Sequence, residues 1–308
     1  MIIKHRKKPK ELLILESLVN RTKDIPKKYY LRYSNLKKGF EGELKFDQWF
    51  DQDSSENWIQ LNDLLFEVNH STFQIDSLII TSDQLFLFEV KNFEGDFKIE
   101  SNRWFTLSGK EIQNPLIQLQ KCETLLRQLL QQHNIHLNIS SYLVFINPEF
   151  HLFNTPTHAP FIFASQLNRF MKNFQQQHTQ KVASNSSIIQ KLLALHSENR
   201  RQYRELEYHY DDLNKGILCK KCHSLNTQIK GRTLSCFDCH FKEPNDPAIQ
   251  RTIIEYQLLF PDKPLFTNTL LDWCKCIRSR KTLLRLLKMD YKLTGHGKSS
   301  KFILNPLK

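Results

Sequence analysis

Residues 74–91 read QIDSLIITSDQLFLFEVK. Its two apolar halves are typical of β-strands, and the polar segment between them indicates a turn. Side chains two apart on a strand share a face, so Glu89 and Lys91 point the same way, while Asp76 lies on the preceding strand. Acidic groups on apolar strands are costly to bury unless something pairs with them. A divalent cation held by two carboxylates, with a lysine nearby, would offset that cost.

The chemistry of these residues suits Mg²⁺ or Mn²⁺, which prefer carboxylates, backbone carbonyls and water. Asp76 and Glu89 would be metal ligands, and the carbonyl of Val90 would be a third. Lys91 would orient or deprotonate an attacking water, or stabilise negative charge on a phosphate. Glu43 lies next to the apolar stripe of a predicted helix and would complete the metal shell.

The predicted elements alternate between helices and strands, which indicates a mixed α/β sheet. Asn114-Pro115 predicts the start of a helix after the strands, because proline is tolerated in the first turn. A longer helix is predicted over about 188–213. The strand-like runs lie at 58–68, 72–81, 84–91 and 141–146.

Four short motifs follow one another along residues 39–150: Gly39-Phe-Glu-Gly-Glu43, Gln74-Ile-Asp76-Ser-Leu-Ile-Ile, Phe88-Glu89-Val-Lys91-Asn92 and Asn114-Pro-Leu-Ile-Gln118. Together they resemble the nuclease-related domain (NERD) family, which is placed within the PD-(D/E)xK phosphodiesterase superfamily. The resemblance implies an active-site set of four residues: Glu43, Asp76, Glu89 and Lys91. It also implies Gln118 as a supporting polar residue. Ser77 departs from the family pattern, in which a histidine or similar residue is expected after the aspartate.

Two C-x2-C pairs with 13 residues between them predict a zinc site. Four thiolates at this spacing close a tetrahedral Zn²⁺ site with no open position for water, so the zinc would be structural. The ligands would be Cys219, Cys222, Cys236 and Cys239. Gly231-Arg232 suits the hairpin turn of a zinc ribbon, and we interpret His223 and His240, which follow the pairs, as bystanders.

Residues 266–304 are predicted to form two helices followed by two short strands around a glycine-containing turn. This order resembles a winged-helix DNA-binding domain, in which basic side chains contact phosphates. A small helical domain with a solvated basic face is the alternative. The expected nucleic-acid contacts are Arg280, Lys281, Arg285, Lys288, Lys298, Ser299 and Lys301.

The net charge of +12 is unevenly distributed. Residues 1–40 hold 12 Lys/Arg and 3 Asp/Glu, residues 248–308 hold 12 and 4, and residues 41–247 hold 20 and 25. Basic ends around an acidic centre suggest that both ends contact a polyanion while the centre holds a cation. Solubility together with a flexible basic tail is the alternative interpretation.

Composition also restricts the setting in which the protein acts. No run of 18 or more apolar residues is present, so we expect no contact with a membrane. Seven cysteines, four of them in C-x2-C pairs, fit metal binding in a reducing compartment better than disulfides. We therefore expect a cytoplasmic protein.

The sequence as a whole predicts an α/β protein with a mixed-sheet PD-(D/E)xK nuclease-like core, a small four-cysteine zinc ribbon and a winged-helix-like C-terminal domain. The expected function is metal-dependent hydrolysis of DNA. Two alternatives stay open: a catalytically silent DNA-binding regulator or scaffold, and a nuclease directed at RNA. A protein partner or a homo-oligomer also stays open. The predicted parts are a basic helical extension (1–38), a nuclease-related domain (39–174), a linker with a helix (175–215), a zinc ribbon (216–247) and a winged-helix-like unit (248–308).

Overall fold

The computed structural model describes residues 1–52, 56–183, 186–197, 206–277, 279–295 and 301–304. Two of the expected nucleic-acid contacts, Lys298 and Ser299, lie outside the described residues. The chain divides into two compact units. Unit 1 comprises Met1–Lys8 and Ser34–Gln202, and unit 2 comprises Pro9–Tyr33 and Tyr203–Lys308.

The strands of the described residues are β1 (Ile2–Lys4), β2 (Ile59–Val68), β3 (Ser71–Ile80), β4 (Gln84–Lys91), β5 (Gly95–Glu100), β6 (Arg103–Thr106), β7 (Glu111–Ile112), β8 (Asn138–Phe145), β9 (Phe150–Phe153), β10 (Phe161–Phe163), β11 (Thr227–Lys230), β12 (Thr233–Cys236), β13 (Lys242–Pro244), β14 (Tyr291–Thr294) and β15 (Lys301–Leu304). The α-helices are α1 (Lys10–Arg21), α2 (Lys27–Gln52), α3 (Pro115–Gln132), α4 (Leu167–Gln177), α5 (Ser187–Leu195), α6 (Asn245–Leu259), α7 (Thr267–Cys274) and α8 (Arg280–Asp290). Among these helices, none combines the length and the apolar composition that crossing a bilayer requires.

Unit 1 is built on a six-stranded mixed sheet with the order β1-β2-β3-β4-β8-β10. The strands β2, β3 and β4 are antiparallel neighbours, whereas β4, β8 and β10 are parallel. Parallel neighbours need a crossover connection, and α3 lies in the connection from β4 to β8. A second sheet has the order β7-β6-β5-β9. The predicted mixed α/β fold class is confirmed.

Apolar side chains cover both faces of the six-stranded sheet. On one face, α3, α5 and the second sheet form a core with Leu85 and Leu87 of β4. On the other face, α2 and α4 form an aromatic core with Phe86 and Phe88 of the same strand. The alternation along β4 confirms its period-two pattern. Glu89 therefore continues the row of side chains that faces α3.

The β2–β3 hairpin is interrupted at one position. Asp63 and Asp76 would oppose each other, yet they form no pair, although the register continues unchanged on either side. Asp63 has a φ of 53°, in the left-handed region. The pairing of β3 with β4 also begins only at Ser77, opposite Phe88. Asp76 thus has no pairing partner on either neighbouring strand.

The interruption reverses the faces of β2. Ile59 and Leu61 pack in the α3-side core before it, and Leu64 and Phe66 pack in the same core after it. A regular strand would carry residues of one parity on one face. One unpaired residue in each strand therefore places Asp76 where the hairpin switches faces.

Unit 2 contains a helical core and two small antiparallel sheets. One sheet has the order β11-β12-β13, and β14 pairs with β15. The fully buried Arg21 of α1 donates to Glu255 and to the carbonyl oxygens of Asn214 and Gly216, and its guanidinium lies 4.1 Å from the ring centroid of Trp273. These contacts fix α1 within the unit. The segment from α6 to β15 has three helices followed by a hairpin, and its winged-helix assignment stays a prediction.

Three elements differ from the sequence-based expectation. The strand β1 is unexpected because three residues are too few to show a period. The helix α2, which carries Glu43, begins at Lys27, within the stretch (1–38) predicted to be a separate N-terminal extension. The helix predicted over 188–213 is shorter than expected. The helix α5 ends at Leu195, residues 198–205 lie outside the described part of the chain, and residues 206–213 hold only a short 3-10 turn at Tyr210–Asp212. After Leu195 the chain turns to pair with β2: Leu65 N–H donates to His196 Nδ1 at 3.0 Å.

A close approach explains one glycine of the first motif. A Cβ atom at Gly42 would lie 2.4 Å from the Asn92 Cβ, whereas a Cβ at Gly39, on the same helix, would meet nothing within 4 Å. Asn92 Nδ2 also donates to the carbonyl oxygen of Lys38 at 2.7 Å. Gly42 therefore allows the backbone of α2 to rest directly on the residue that follows β4.

Gly42→Ala and Gly39→Ala should change stability in opposite directions. Alanine at 39 removes only the entropic penalty of glycine and should stabilise by about 0.5–1 kcal/mol. Alanine at 42 must displace Asn92, and this overpacking should destabilise by about 1–2 kcal/mol. Urea unfolding followed by circular dichroism measures both variants. Equal effects would show that α2 does not need the close approach.

Candidate active site and cysteine cluster

The predicted Glu-x-Lys pair joins Gln118 of α3 in a closed triangle of hydrogen bonds. Lys91 Nζ donates to Glu89 Oε1 at 2.7 Å and to Gln118 Oε1 at 3.0 Å. Gln118 Nε2 donates to the same Glu89 oxygen at 2.5 Å. Glu89 is only 2% exposed. Each side chain is therefore held by the other two.

The helix start predicted at Asn114-Pro115 positions Gln118. The Asn114 side chain accepts a hydrogen bond from Leu116 N–H at 2.9 Å, and Pro115 is the first residue of α3. An N-cap of this kind satisfies a backbone donor that the helix leaves unpaired. Gln118 lies one turn further on, while Leu119 is buried in the core beneath the helix. The cap thus fixes where the amide meets Glu89.

Asp76 lies beside Glu89 on the neighbouring strand. Ser77 pairs with Phe88, so Asp76 and Glu89 occupy the next opposing positions, where side chains on adjacent strands approach closely. Asp76 Oδ2 accepts the backbone N–H of Val90 at 2.9 Å. This bond links β3 to β4 beyond the last residue pair of their ladder, and it leaves Oδ1 as the carboxylate oxygen able to bind a ligand.

A buried arginine from the N-terminal segment contacts both the helix and the hairpin at this site. Arg6 Nη1 donates to Glu43 Oε2 at 2.6 Å, and Arg6 Nε donates to Asp47 Oδ2 at 2.9 Å. Arg6 Nη2 donates to the carbonyl oxygen of Asp76 at 2.7 Å. The Arg6 side chain is 2% exposed. Because Glu43 and Asp47 are one turn apart on α2, they share the face that Arg6 contacts.

Electrostatics at the site disfavour a full set of ionised carboxylates. Burial, and then the charge of Asp76, raise the pKa of Glu43 to about 8, although Arg6 opposes the shift. Burial also raises the pKa of Asp47, against the effect of Arg6. Neighbouring carboxylates that repel one another are relieved by a bound cation. The residues present therefore suit a divalent metal ion.

Buried polar side chains support the carboxylates from the α2 side of the sheet. Gln60 Nε2 lies 3.4 Å from Asp47 Oδ1 and donates to Asn62 Oδ1 at 2.9 Å. The Ser77 hydroxyl donates to the same Asn62 oxygen at 2.8 Å. Ser77, the residue that departs from the family pattern, thus takes part in the support and is completely buried.

The predicted site residues fall into two linked groups. Four of them, Asp76, Glu89, Lys91 and Gln118, lie at the hairpin break and the adjacent helix. Glu43 is connected to that group through Arg6. Among the described residues, ligand atoms from three or more acidic, histidine or cysteine side chains converge only at the cysteine cluster, so Glu43 does not close a three-carboxylate shell here.

Two residues of this site, Arg6 and Asp47, were not identified from the sequence. The spacing of Asp47, four residues after Glu43 on a predicted helix, was a usable signal for a shared face. Arg6 gave no such signal, because it stands among several cations far along the chain from its partners.

The four predicted zinc ligands come together in unit 2. The Sγ atoms of Cys219, Cys222, Cys236 and Cys239 all lie within 4.8 Å of one another. Two of the S–S distances, each joining a cysteine of the first pair to one of the second, are 3.6 Å. Tetrahedral Zn–S bonds of about 2.3 Å give similar separations. The cluster could therefore hold a zinc ion and is compatible with a zinc ribbon.

The two C-x2-C segments have the same local geometry. Cys219 N–H donates to the carbonyl oxygen five residues later, and Cys236 N–H does the same. His223 and His240, one residue after each pair, both have a φ of 58°. The histidines therefore occupy the left-handed position of each turn. Lys230 pairs with Thr233 across the turn, which confirms the predicted hairpin at Gly231-Arg232.

Replacing Glu43 with glutamine should stabilise the metal-free protein increasingly as pH rises. The native carboxyl keeps its proton up to about pH 8, whereas the unfolded chain releases it near 4.5, so unmodified protein loses stability between these values. Glutamine does not titrate. The variant should gain about 4 kcal/mol relative to unmodified protein between pH 5 and pH 9.

Thermal unfolding at both pH values, without added divalent cation, measures this gain. Glu67→Gln serves as the control, because Glu67 is exposed on β2 and its replacement makes the same chemical change outside the buried site. A pH-independent difference between Glu43→Gln and unmodified protein would contradict the raised pKa.

Comparison with known families identifies the segment that carries the site. Residues 38–146 match the family model of the nuclease-related domain (NERD). No curated protein and no solved structure matches the chain significantly. The matched segment contains all five predicted catalytic side chains and ends well before the cysteine cluster. The resemblance carried by the four motifs is confirmed: residues 38–146 are similar to the nuclease-related domain.

Proposed function

We propose that the protein hydrolyses phosphodiester bonds of DNA with Mg²⁺ or Mn²⁺ bound at Asp76 and Glu89. The observation that carries the proposal is the meeting of Asp76 with the Glu89–Lys91–Gln118 triangle at the hairpin break of a nuclease-related domain. Buried carboxylates, a lysine and a polar amide, here from β3, β4 and α3, are the groups that metal-assisted phosphoryl chemistry requires.

The metal ion would be held by Asp76, Glu89 and the carbonyl oxygen of Val90. When bound, such an ion supplies an activated water and neutralises charge on the phosphate. Glu43 approaches from α2 and extends the acidic surface of the same site. Its raised pKa supports this role, because a nearby cation stabilises the ionised form.

Lys91 is best suited to stabilise negative charge on the phosphate. Its Nζ donates to the Glu89 carboxylate and to the Gln118 amide oxygen. These two contacts hold the Nζ atom in place, where it can stabilise the negative charge that develops on the phosphate. Gln118 keeps the ammonium and the Glu89 carboxylate in fixed relative positions.

Unit 2 is proposed to bind the nucleic acid. A zinc ion in its cysteine cluster would have a structural role. Lys281, Arg285 and Lys288 are exposed and lie at helical spacing on one face of α8, opposite buried leucines. Arg280 and Lys301 are exposed as well. Such cations bind phosphates without reading sequence.

Cleavage of supercoiled and linear DNA by the zinc-loaded protein with Mg²⁺ or Mn²⁺ tests the proposed reaction. Asp76→Asn retains an oxygen that can accept the Val90 N–H but removes the charge, so cleavage should fall by at least about 100-fold while DNA binding stays unchanged. Glu67→Gln is the matched control and should cleave normally.

The remaining outcomes favour the alternatives. Equal cleavage by Asp76→Asn and unmodified protein would place the activity elsewhere or in a contaminant. Binding without cleavage by any form would support a silent DNA-binding regulator. Faster cleavage of RNA than of DNA in a competition assay would support an RNA-directed nuclease.

The salt dependence of DNA binding tests the α8 face. In the Asp76→Asn background, the double variant Lys281→Gln/Lys288→Gln should reduce the slope of log K against log salt by about one per lysine. Arg285→Gln should change the slope less, because Arg285 is already paired with Asp246 at 2.6 Å. Fluorescence anisotropy at several salt concentrations measures both. An equal or larger effect of Arg285→Gln would show that another surface binds the phosphates.

A further inference from the structure

We infer that Arg6 is a positioning residue of the active site, so that the N-terminal segment before the matched domain is part of the catalytic unit. The inference rests on the proposed function and adds a residue to it. Arg6 lies 32 residues before the matched segment begins at residue 38. It lies just after β1, which pairs in parallel with β2, the strand that carries the hairpin break.

The contacts of Arg6 account for its burial. An arginine with a 2% exposed side chain is costly to bury unless its donors are satisfied. Its Nε, Nη1 and Nη2 atoms all donate, and each bond ends on Glu43, Asp47 or Asp76. None of these bonds goes to a distant surface group. The guanidinium is thus used entirely within the site.

One of these bonds holds the backbone of Asp76, a proposed metal ligand. The carbonyl oxygen of Asp76 lies at the interruption of the hairpin, where neither neighbouring strand pairs with it. Arg6 Nη2 donates to that oxygen. Together with the Val90 N–H on the Asp76 carboxylate, it fixes this residue at both its backbone and its side chain.

The other bonds hold the acidic face of α2 against the hairpin. Glu43 and Asp47 would repel each other and Asp76, and Arg6 lies among the three as the shared cation. A planar guanidinium can bond several oxygens at fixed angles, which a lysine ammonium does not reproduce. Arg6 therefore sets the position of Glu43 relative to the proposed metal ligands without itself touching substrate.

Lys4 provides a matched control on the same segment. Its Nζ donates to the carbonyl oxygens of Asn62 and Asp63, each at 2.7 Å, and so it binds β2 at the break, on the strand opposite Asp76. These bonds attach the segment to β2 through the backbone. Loss of Lys4 should therefore weaken the attachment without removing the shared cation from the carboxylates.

The test compares Arg6→Lys and Lys4→Met in full-length, zinc-loaded protein. Arg6→Lys keeps a positive charge, so it avoids leaving buried carboxylates without a cation, but it removes the fork of donors. We expect its kcat to fall by about 100-fold and its half-saturating Mn²⁺ concentration to rise by about 10-fold, with DNA affinity unchanged. Lys4→Met should lower the melting temperature but leave both kcat and the Mn²⁺ dependence near those of unmodified protein.

Each outcome is decisive for the positioning role. A kcat and Mn²⁺ dependence in Arg6→Lys equal to those of unmodified protein would overturn it. Parallel losses in Arg6→Lys and Lys4→Met would reduce Arg6 to a structural contact and overturn it as well. A second variant, Arg6→Ala, should recover part of its activity in the presence of guanidinium ion at low concentration if the missing group is the guanidinium itself.

Calorimetric titration with Mn²⁺ separates this inference from the proposed function. If unmodified protein binds Mn²⁺ but does not cleave, weaker binding by Arg6→Lys would support the positioning role although the proposed reaction fails. Equal binding by the two proteins would overturn the positioning role alone. An absence of Mn²⁺ binding in unmodified protein would overturn both.

Discussion

The site depends on one interruption of the β2–β3 ladder, at Asp63 and Asp76. A regular ladder would use the backbone of Asp76 for pairing and would keep its neighbours on constant faces. Because the ladder breaks, the Asp76 carboxylate binds the Val90 N–H and its carbonyl binds Arg6. The Val90 N–H and the Asp76 carbonyl oxygen therefore both gain hydrogen-bond partners, and the two bonds fix Asp76 in place. The break is therefore stable only together with the groups that replace its missing bonds.

Charge balance is the second constraint. The register of β3 with β4 places Asp76 opposite Glu89 in a sheet whose two faces are covered by apolar cores. Buried acids of like charge raise one another's pKa and destabilise the fold unless cations lie among them. Lys91 balances Glu89, and Arg6 balances the acids of α2. The pKa of Glu43 nevertheless stays raised, which indicates that Lys91 and Arg6 do not fully compensate the charge of the acids.

What the sequence predicted depended on whether the signal was local. The alternation along β4 and the cap at Asn114 each depend only on neighbouring residues in the sequence. The sheet face on which Glu89 lies and the start of α3 could therefore be inferred. The same holds for the spacing of the cysteines. Asp63 and Arg6 could not be inferred in this way, because a left-handed residue inside a strand and a cation among other cations acquire meaning only from partners distant in the chain. The end of α5 at Leu195 could not be inferred for the same reason, because the hydrogen bond to the next residue, His196, comes from β2.

The path of the chain shows that the unit holding this site includes residues that precede the matched segment. The chain leaves unit 1 after Lys8, forms part of unit 2, and re-enters unit 1 at Ser34. Arg6 lies just before this excursion, and Glu43 lies just after it on α2. A fragment that begins with the matched segment would keep the two acids of α2 and lose their shared cation, leaving buried negative charge without a partner. The similarity to known nuclease-related domains therefore covers the acids of the site, whereas the physical unit that makes their burial tolerable also includes the N-terminal strand.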